Sequence, residues 1–498
     1  MKQTIKCLIA TFAAMLVAVS AFAQITTSSL GGHVVDANGE PVIGAAVVAT
    51  HGPSGTVYGV VTNEDGRFAL NGMRSGGPYK VEISCLGYQT VINTDITLQL
   101  GETYALNASL NDDKEMLSEA LVIGQAASKF AGEKTGAATN ISGAQIESLP
   151  TVSRSIEDLA TLSPYGGSGM SFGGADGRSS NFTVDGANFN NNFGLNDGLP
   201  GGGSPISIDA IEEVQVVIAP FDVRQTNFIG GGMNAITKSG TNTLKGSAYV
   251  YHTNENMRGD MAGETGVSGA RDKDRSTTYG FTLGGPIIKD KLFFFVNFEY
   301  VKIPTVVNRW RASADGVADA DAFISRTKLE DMQKVKDHLM TKYGYDTGSY
   351  TDFPADESNM KVLARVDWNI NENHNLAVRY NYTLNRYWNS TNGNSVDAWY
   401  RHKGYDRLSQ YSMAFANSMY SQDNLVNSFS VDLNSRFGAN LSNQLLVTYS
   451  QLDDKRGSPS EKFPFIDIMN GYSVAEDGSV TQTLEPYMAA GYELFTWY

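Results

Sequence analysis

The chain has 498 residues, with 38 Lys and Arg against 53 Asp and Glu, a formal net charge of -15 and a pI near 4.9. This balance argues against nucleic-acid or anionic-lipid binding, since both need concentrated basic side chains. With 51 Gly, 24 Tyr and 23 Phe against 14 Pro, the composition suits glycine-rich turns and aromatic belts rather than disorder, and two cysteines give no disulfide framework.

Lys2 and Lys6, the apolar run from Cys7 to Val19, and Ala21-Phe22-Ala23 read as a secretory signal over 1–23, cleaved between Ala23 and Gln24. Cys7 leaves with it, and Cys85 becomes the only mature cysteine. Downstream, no apolar run reaches the ~18 residues that a membrane-spanning helix needs. An exported chain without a helical anchor is secreted, periplasmic, or a barrel in an outer membrane. The last option requires a closed sheet, because unpaired backbone groups are too costly in lipid.

From about Ser29 to Leu110, short strands and regularly spaced turn signals predict a small β-sandwich. Asn38-Gly39 and Asp65-Gly66 are tight-turn dipeptides that favour positive φ. Tyr79, Val81, Ile83 and Cys85 alternate with Lys80, Glu82 and Ser84 as a half-buried strand, so Cys85 is expected to pack as a small hydrophobe. The run Gly32-His33-Val34-Val35-Asp36-Ala37-Asn38-Gly39-Glu40-Pro41-Val42-Ile43-Gly44-Ala45, then Thr62-Asn63-Glu64-Asp65-Gly66-Arg67-Phe68 and Leu86-Gly87-Tyr88, resembles the carboxypeptidase regulatory-like domain. That is an accessory fold, and the resemblance implies no peptidase activity.

Asn111 to Ser128 breaks the strand rhythm with charges, followed by Leu117 to Gly124. Such a short β-prone run either adds to a partner's sheet edge, closes the sandwich as its last strand, or merely links. Ile141 to Leu162 predicts two short helices around Pro150, with Ser155 as a cap and Glu157 and Asp158 in the first turn. Gly166 to Ser204 is rich in Gly and Asn and holds the strand-like Asn181 to Gly186. It is too long for a free loop, and its glycines suit close packing in a confined space. Ile206 to Ile218 resumes β character.

From Leu244 onward roughly eight or nine strand-like segments follow, with a loop helix expected over Asp319 to Tyr343 and a last strand over Tyr492 to Tyr498. In Asn375 to Asn385 one face carries Leu376, Val378, Tyr380, Tyr382 and Leu384, and the other Ala377, Arg379, Asn381 and Thr383. Phe429, Val431 and Leu433 repeat the pattern, as do Phe294, Val296, Phe298 and Tyr300. Alternation of this kind fits a membrane β-barrel or a β-sandwich.

Asp185-Gly186, Ile211-Glu212-Glu213-Val214-Gln215-Val216, Gly230 to Gly240, and the hairpin Gly284 to Phe295 resemble TonB-dependent outer-membrane receptors. With the preceding sandwich they resemble the Oar-like branch found in Bacteroidetes. The resemblance implies a mainly β fold: the sandwich over 24–111, a linker over 112–128, an α+β plug over 129–240, and the first part of a transmembrane antiparallel β-barrel over 241–498. Family barrels have roughly 22 strands, so a C-terminal truncation, with roughly a dozen strands beyond Tyr498, is expected. Leu117, Ser118, Glu119, Ala120, Leu121, Val122, Ile123 and Gly124 would be the TonB box, although Ser118 replaces a usual acid and Ala120-Leu121 the first valines. Implied partners are the TonB-ExbB-ExbD energy-coupling complex, outer-membrane lipid, and a nutrient ligand: a peptide, glycan or chelate.

The residues give no catalytic constellation. The six histidines lack zinc-ligand spacing, no Gly-x-Ser-x-Gly elbow occurs, and the glycine runs fail the phosphate-loop and dinucleotide spacings. Asp185, Asn188, Asn190, Asn192, Asn196 and Asp197 offer oxygen ligands for Ca²⁺ but lack the closing glutamate, so a polar plug loop is the better reading. Arg178, Arg224 and Lys238 either line a pore or are solvated charges. No cofactor, metal or enzymatic role is assigned. Alternatives to transport are an outer-membrane scaffold or adhesin using the sandwich, or a gene fragment without function.

Overall fold

The computed structural model describes residues 25–493 apart from 113–120, 125–135, 149–153, 191–198, 200–203, 221–224, 226–228, 258, 260, 263–264, 267–274, 307, 352, 392–406, 439–440, 470–471, 475–476, 478–479 and 483–485. Outside them lie the signal with Ala23 and Gln24, Leu117 to Ala120 of the box, Pro150, Asn192, Asn196, Asp197, Arg224, and residues 494–498 of the last expected strand.

The N-terminal unit comprises β1 (Ser28–Asp36), β2 (Ala46–His51), β3 (Thr56–Val61), β4 (Arg67–Met73), β5 (Gly76–Ser84), β6 (Val91–Leu98), β7 (Thr103–Ala105), β8 (Ala108–Leu110) and β9 (Leu121–Gly124). β1 pairs with β4, β7 and β8, and the second sheet runs β3-β2-β5-β6-β9. Inward residues of both sheets, among them Leu30, Val34, Val47, Tyr58, Leu70, Tyr79 and Val81, form one buried core. Gly39 and Gly66 adopt φ of 86° and 71°, as the Asn-Gly and Asp-Gly turns require. Cys85 packs half-buried against that core. β9 lies parallel to β6, from Val91 opposite Leu121 to Thr94 opposite Gly124, as the terminal strand of its sheet.

Next come β10 (Gly136–Ser142), α1 (Gly143–Ser148), α2 (Ile156–Ala160), β11 (Asn181–Val184), β12 (Ala187–Asn188), β13 (Ile211–Pro220) and β14 (Gly232–Thr237). The sheet order is β10-β13-β14-β11-β12. Ser155 caps α2 by accepting from the Glu157 N–H, with Glu157 and Asp158 in the first turn as expected. Phe172, Phe182, Phe189, Val214 and Met233 form its core, into which Phe295, Leu363 and Val426 of the following sheet also pack.

That sheet is an antiparallel meander of seven strands: β15 (Lys245–Thr253), then, beyond the small hairpin of β16 (Met261–Ala262) and β17 (Thr265–Gly266), β18 (Ser276–Ile288) and β19 (Leu292–Val306). A loop pair, β20 (Arg311–Ser313) and β21 (Ile324–Lys328), and α3 (Leu329–Tyr343) precede β22 (Pro354–Asn371) and β23 (His374–Asn389). β24 (Met413–Ala414), β25 (Tyr420–Phe437) and β26 (Leu441–Gly457) follow, then β27 (Ile466–Met469), β28 (Tyr472–Val474), β29 (Val480–Gln482) and β30 (Pro486–Ala490). A tilted strand crosses a bilayer in roughly 9–11 residues, and the six strands from β18 to β26 in the sheet run 13 to 18 residues. Among the described residues β15 and β26 each have one neighbour in this sheet, which does not close.

The predicted alternation is present. Phe293, Phe295, Asn297 and Glu299 are buried inward, as are Arg379, Asn381, Thr383, Ser428, Ser430 and Asp432. Tyr380, Phe429, Val366, Trp368, Val447 and Tyr449 are exposed on the outer face. Tight turns at Asp290 and at Asn371 to His374 join strands at one end, and the long connections from β19 to β22 and from β23 to β25 leave from the other. At the loop end, α3 and the short strands pack into a local core with Met413, Phe415 and Met488.

The loop helix begins later than expected, at Leu329. Asp319 to Lys328 instead bends back: Asp319 bridges Ile324, Phe323 takes a φ of 54°, and Ile324 to Lys328 pairs in parallel with β20. The carboxylate of Asp319 accepts from the Ala322 N–H, so a local turn wins over helix there. Tyr492 sits in a bend rather than a strand, its N–H donating to the Phe463 carbonyl.

Candidate functional site

The site is the contact between the glycine-rich α+β unit and the polar inner face of the seven-stranded sheet. Asp185 directly follows β11 with a φ of 49°, and Gly186 at 79° completes an Asp-Gly turn into β12. Its carboxylate accepts from the Thr237 N–H at 3.1 Å and the Thr237 hydroxyl at 2.7 Å. It faces Arg379 of β23 at 3.4 Å and Arg365 of β22 at 3.8 Å. Arg365 forks onto Asp367 at 2.8 and 2.9 Å and donates to the Thr237 carbonyl. Arg379 also lies 3.7 Å from Asp432. Arg74 of the sandwich, 3.5 Å from Asp367, completes a set of three arginines against three aspartates. Charges buried this deeply hold only when paired, so neutrality is what allows the cluster to exist.

A second cluster lies further toward the loop end. Glu299, 3 % exposed, accepts from Lys361 at 2.8 Å and from the hydroxyls of Ser207 and Tyr249 at 2.9 Å each. Lys361 also donates to Ser204 at 2.9 Å. Arg154, at a φ of 51°, pairs with Asp209, lies 3.8 Å from Glu299, and stacks 4.2 Å above the Tyr251 ring. The Pro205 carbonyl accepts from Thr383 at 2.6 Å and Asn381 at 3.3 Å.

On the opposite side, towards the sandwich, Glu213 of β13 accepts from Ser75 and from the Leu100 N–H at 3.0 Å. Burial pushes the Glu213 carboxyl up to about 7, outweighing those two hydrogen bonds.

Arg379 and Asn381, predicted to face a wet lumen, are on the inner face but grip the glycine-rich unit. Lys238 pairs with Glu147 at 2.8 Å, and Arg178 with Asp176 at 3.1 Å. Asn188 and Asn190 bond backbone and each other's neighbourhood: Asn188 accepts from the Asn190 N–H, and Asn190 accepts from Phe182 N–H and donates to Asn181. Among the described residues no group of three His, Cys, Asp or Glu is arranged to hold a metal. Sequence reasoning missed Arg74, Arg154, Glu213, Lys361, Arg365 and Asp367. For Lys361, Arg365 and Asp367 a signal existed, since with Leu363 they fall on alternate positions of one strand and so share a face.

An inward polar, outward apolar meander whose inner face is occupied by a separately folded unit defines an outer-membrane β-barrel domain with an internal plug. Residues 236–312 match the outer membrane beta barrel domain, and residues 29–111 match the carboxypeptidase regulatory-like domain. The chain is 26 % identical over 388 residues to the TonB-dependent transporter Oar of Myxococcus xanthus, covering 74 % of this chain and 34 % of Oar. It is 36 % identical over 119 residues to the TonB-dependent receptor SusC of Bacteroides thetaiotaomicron, covering 24 % of this chain and 10 % of SusC. Among solved structures it is similar to the outer membrane transporter YddB from Escherichia coli, with a TM-score of 0.44 and 13 % identity over 71 % of this chain and 43 % of that one. The chain is thus a homologue of the TonB-dependent transporter Oar and a protein of the outer membrane. It spans about a third of the length of Oar.

Proposed function

We propose that the chain works in energy-coupled uptake of a nutrient across the outer membrane. The sandwich over 24–111 and the plug over 129–240 face the periplasm, and the wall over 241–498 faces lipid. Long loops at the far end capture a peptide, glycan or chelate, and the plug blocks the lumen until the TonB-ExbB-ExbD complex remodels it. Leu117 to Gly124 serves as the TonB box, pulled by strand addition.

One observation carries this reading. Among the described residues the plug shares no sheet pairing with the wall: besides the packing of Phe295, Leu363 and Val426 against its core, it is held by ion pairs and hydrogen bonds at Asp185, Ser204, Pro205 and Ser207. Such contacts re-form with water once separated, so the plug can leave without unravelling the wall. The likeness to TonB-dependent relatives supports TonB as the energy source. Deleting Leu117 to Gly124 in the native host should abolish uptake while leaving surface binding intact. Unchanged uptake would refute the box.

A further inference from the structure

We propose that the N-terminal sandwich is a second stopper, latched to both wall and plug across the turn end of the lumen, which must undock before the plug can move. The inference rests on the reading of the plug as a movable gate.

The latch straddles the sheet. At one edge the Asn242 N–H, just before β15, donates to the Pro53 carbonyl at 2.8 Å. In the middle Asn369 of β22 donates to Thr56 at 2.9 Å, and Arg74 reaches Asp367. At the other edge Thr26 donates to Asp432 of β25 at 2.7 Å and accepts from Gln444 of β26 at 2.7 Å. Arg436 stacks 4.6 Å above the Tyr58 ring. A domain merely tethered by its linker would not touch three of the seven wall strands and the segment leading into a fourth.

The sandwich also holds the plug. Besides Ser75 and the Leu100 N–H on Glu213, the Leu100 carbonyl accepts from Gln215 at 2.6 Å and from Asn140 at 3.2 Å. Arg74 donates to Ser239 at 3.2 Å. Leu100 thus brackets β13 through both its backbone groups, and the plug cannot shift toward the turn end while the sandwich stays.

The chemistry suits release. When Arg74 withdraws, Asp367 keeps its fork from Arg365. When Thr26 withdraws, Asp432 keeps Arg379 and a hydrogen bond from Asn434. Each aspartate of the cluster keeps an arginine neighbour, and the one excess negative charge that Arg74 leaves behind goes when Asp185 departs with the plug, since Arg365 and Arg379 then balance Asp367 and Asp432. The apolar part of the contact is small, comprising Ile25, Leu100 and Ile236. A cavity of about 460 Å³ beside it, lined in part by Arg74, Lys238 and Asp367, leaves the latch incompletely packed.

The test locks the latch. In outer-membrane vesicles from the native host, Thr56→Cys with Asn369→Cys in a Cys85→Ser background joins sandwich to wall on oxidation. A covalent handle inserted after Ala127 lets single-molecule pulling extract the plug without relying on the box. The oxidised form should need at least about twice the force of the reduced form for its first lengthening step, and Arg74→Glu should need less than the parent. Equal forces in all three, or failure of the cysteines to join, would overturn the inference. Pulling through the bound periplasmic domain of TonB instead tests the box: no tethers there, with an intact locking effect, would sink the box alone.

Discussion

The Ser75 hydroxyl of the sandwich donates to the Glu213 carboxylate of the plug, which also accepts from the Leu100 N–H. Burial raises that acid from its ordinary 4.5 to about 7, and Glu212 and Glu102 add like-charge repulsion. A raised acid favours the docked state when protonated. The benefit is complete below about 4.5, falls as pH rises through 7, and is absent above it. A shift of this size corresponds to roughly 3 kcal/mol. Thiol labelling of Thr56→Cys, in a Cys85→Ser background, divided at each pH by the rate of the same thiol in the denatured chain to remove the thiolate's own pH dependence, should therefore be slower at pH 5 than at pH 8. Glu213→Gln should slow labelling at pH 8 and flatten the profile. Any residual slope belongs to Glu212, which burial also raises. A parent profile flat from pH 5 to 8 would exclude Glu213 as the controlling group.

Gly240 sits where the plug chain meets the wall, and a Cβ there would lie 2.4 Å from the Phe294 carbonyl oxygen and 2.7 Å from that of Gly285. Both are backbone atoms of the β18–β19 hairpin and cannot swing aside. Gly240→Ala should destabilise the junction by about 1–3 kcal/mol, seen as faster trypsin cleavage within 129–240 while the wall resists. Gly280→Ala should act differently, because its Cβ would meet the Tyr249 ring at 2.2 Å. The ring can rotate away, losing its bond to Glu299 instead.

The wall was readable because period-two alternation is a local property, written in Leu376 to Leu384 without reference to any partner. The tight turns were readable at Asn38-Gly39 and Asp65-Gly66 for the same reason. Asp185-Gly186 was legible as a motif, but its burial against Arg379 was not, since that pairing joins residues almost two hundred positions apart. Arg74 is the clearest loss: in its own strand neighbourhood it reads as a surface cation, and only domain docking makes it a counter-ion. The loop helix starts later than the sequence suggests because Asp319 and Ala320 suit helix and turn alike, and tertiary pairing of Ile324 with β20 decides it.

Among the described residues Asp185 is the plug's one carboxylate paired with the two wall arginines, 3.4 Å from Arg379 and 3.8 Å from Arg365. Asp185→Ala leaves Arg379 with Asp432 alone, at 3.7 Å. Removing one partner of a buried pair costs about 3–5 kcal/mol. Hydrogen exchange in β11 and β14 should rise by orders of magnitude, and Asp185→Asn, whose one amide oxygen can still accept from the Thr237 N–H, should give a smaller rise. Unchanged exchange in Asp185→Ala would remove the cluster from the plug's retention.

Val378 tests which face meets lipid. It lies opposite Val366 of β22 and Val431 of β25, so three valines run side by side across the outer face. One position on, Arg379 lies opposite Arg365 and Ser430 on the inner face. A lysine near the bilayer midplane costs a barrel about 2–4 kcal/mol. Val378→Lys should therefore lower membrane assembly sharply, whereas Ser430→Thr should leave it unchanged. If both variants assembled like the parent, the outer face would not be in hydrocarbon at this depth, because no snorkelling side chain escapes from the middle of a span without cost.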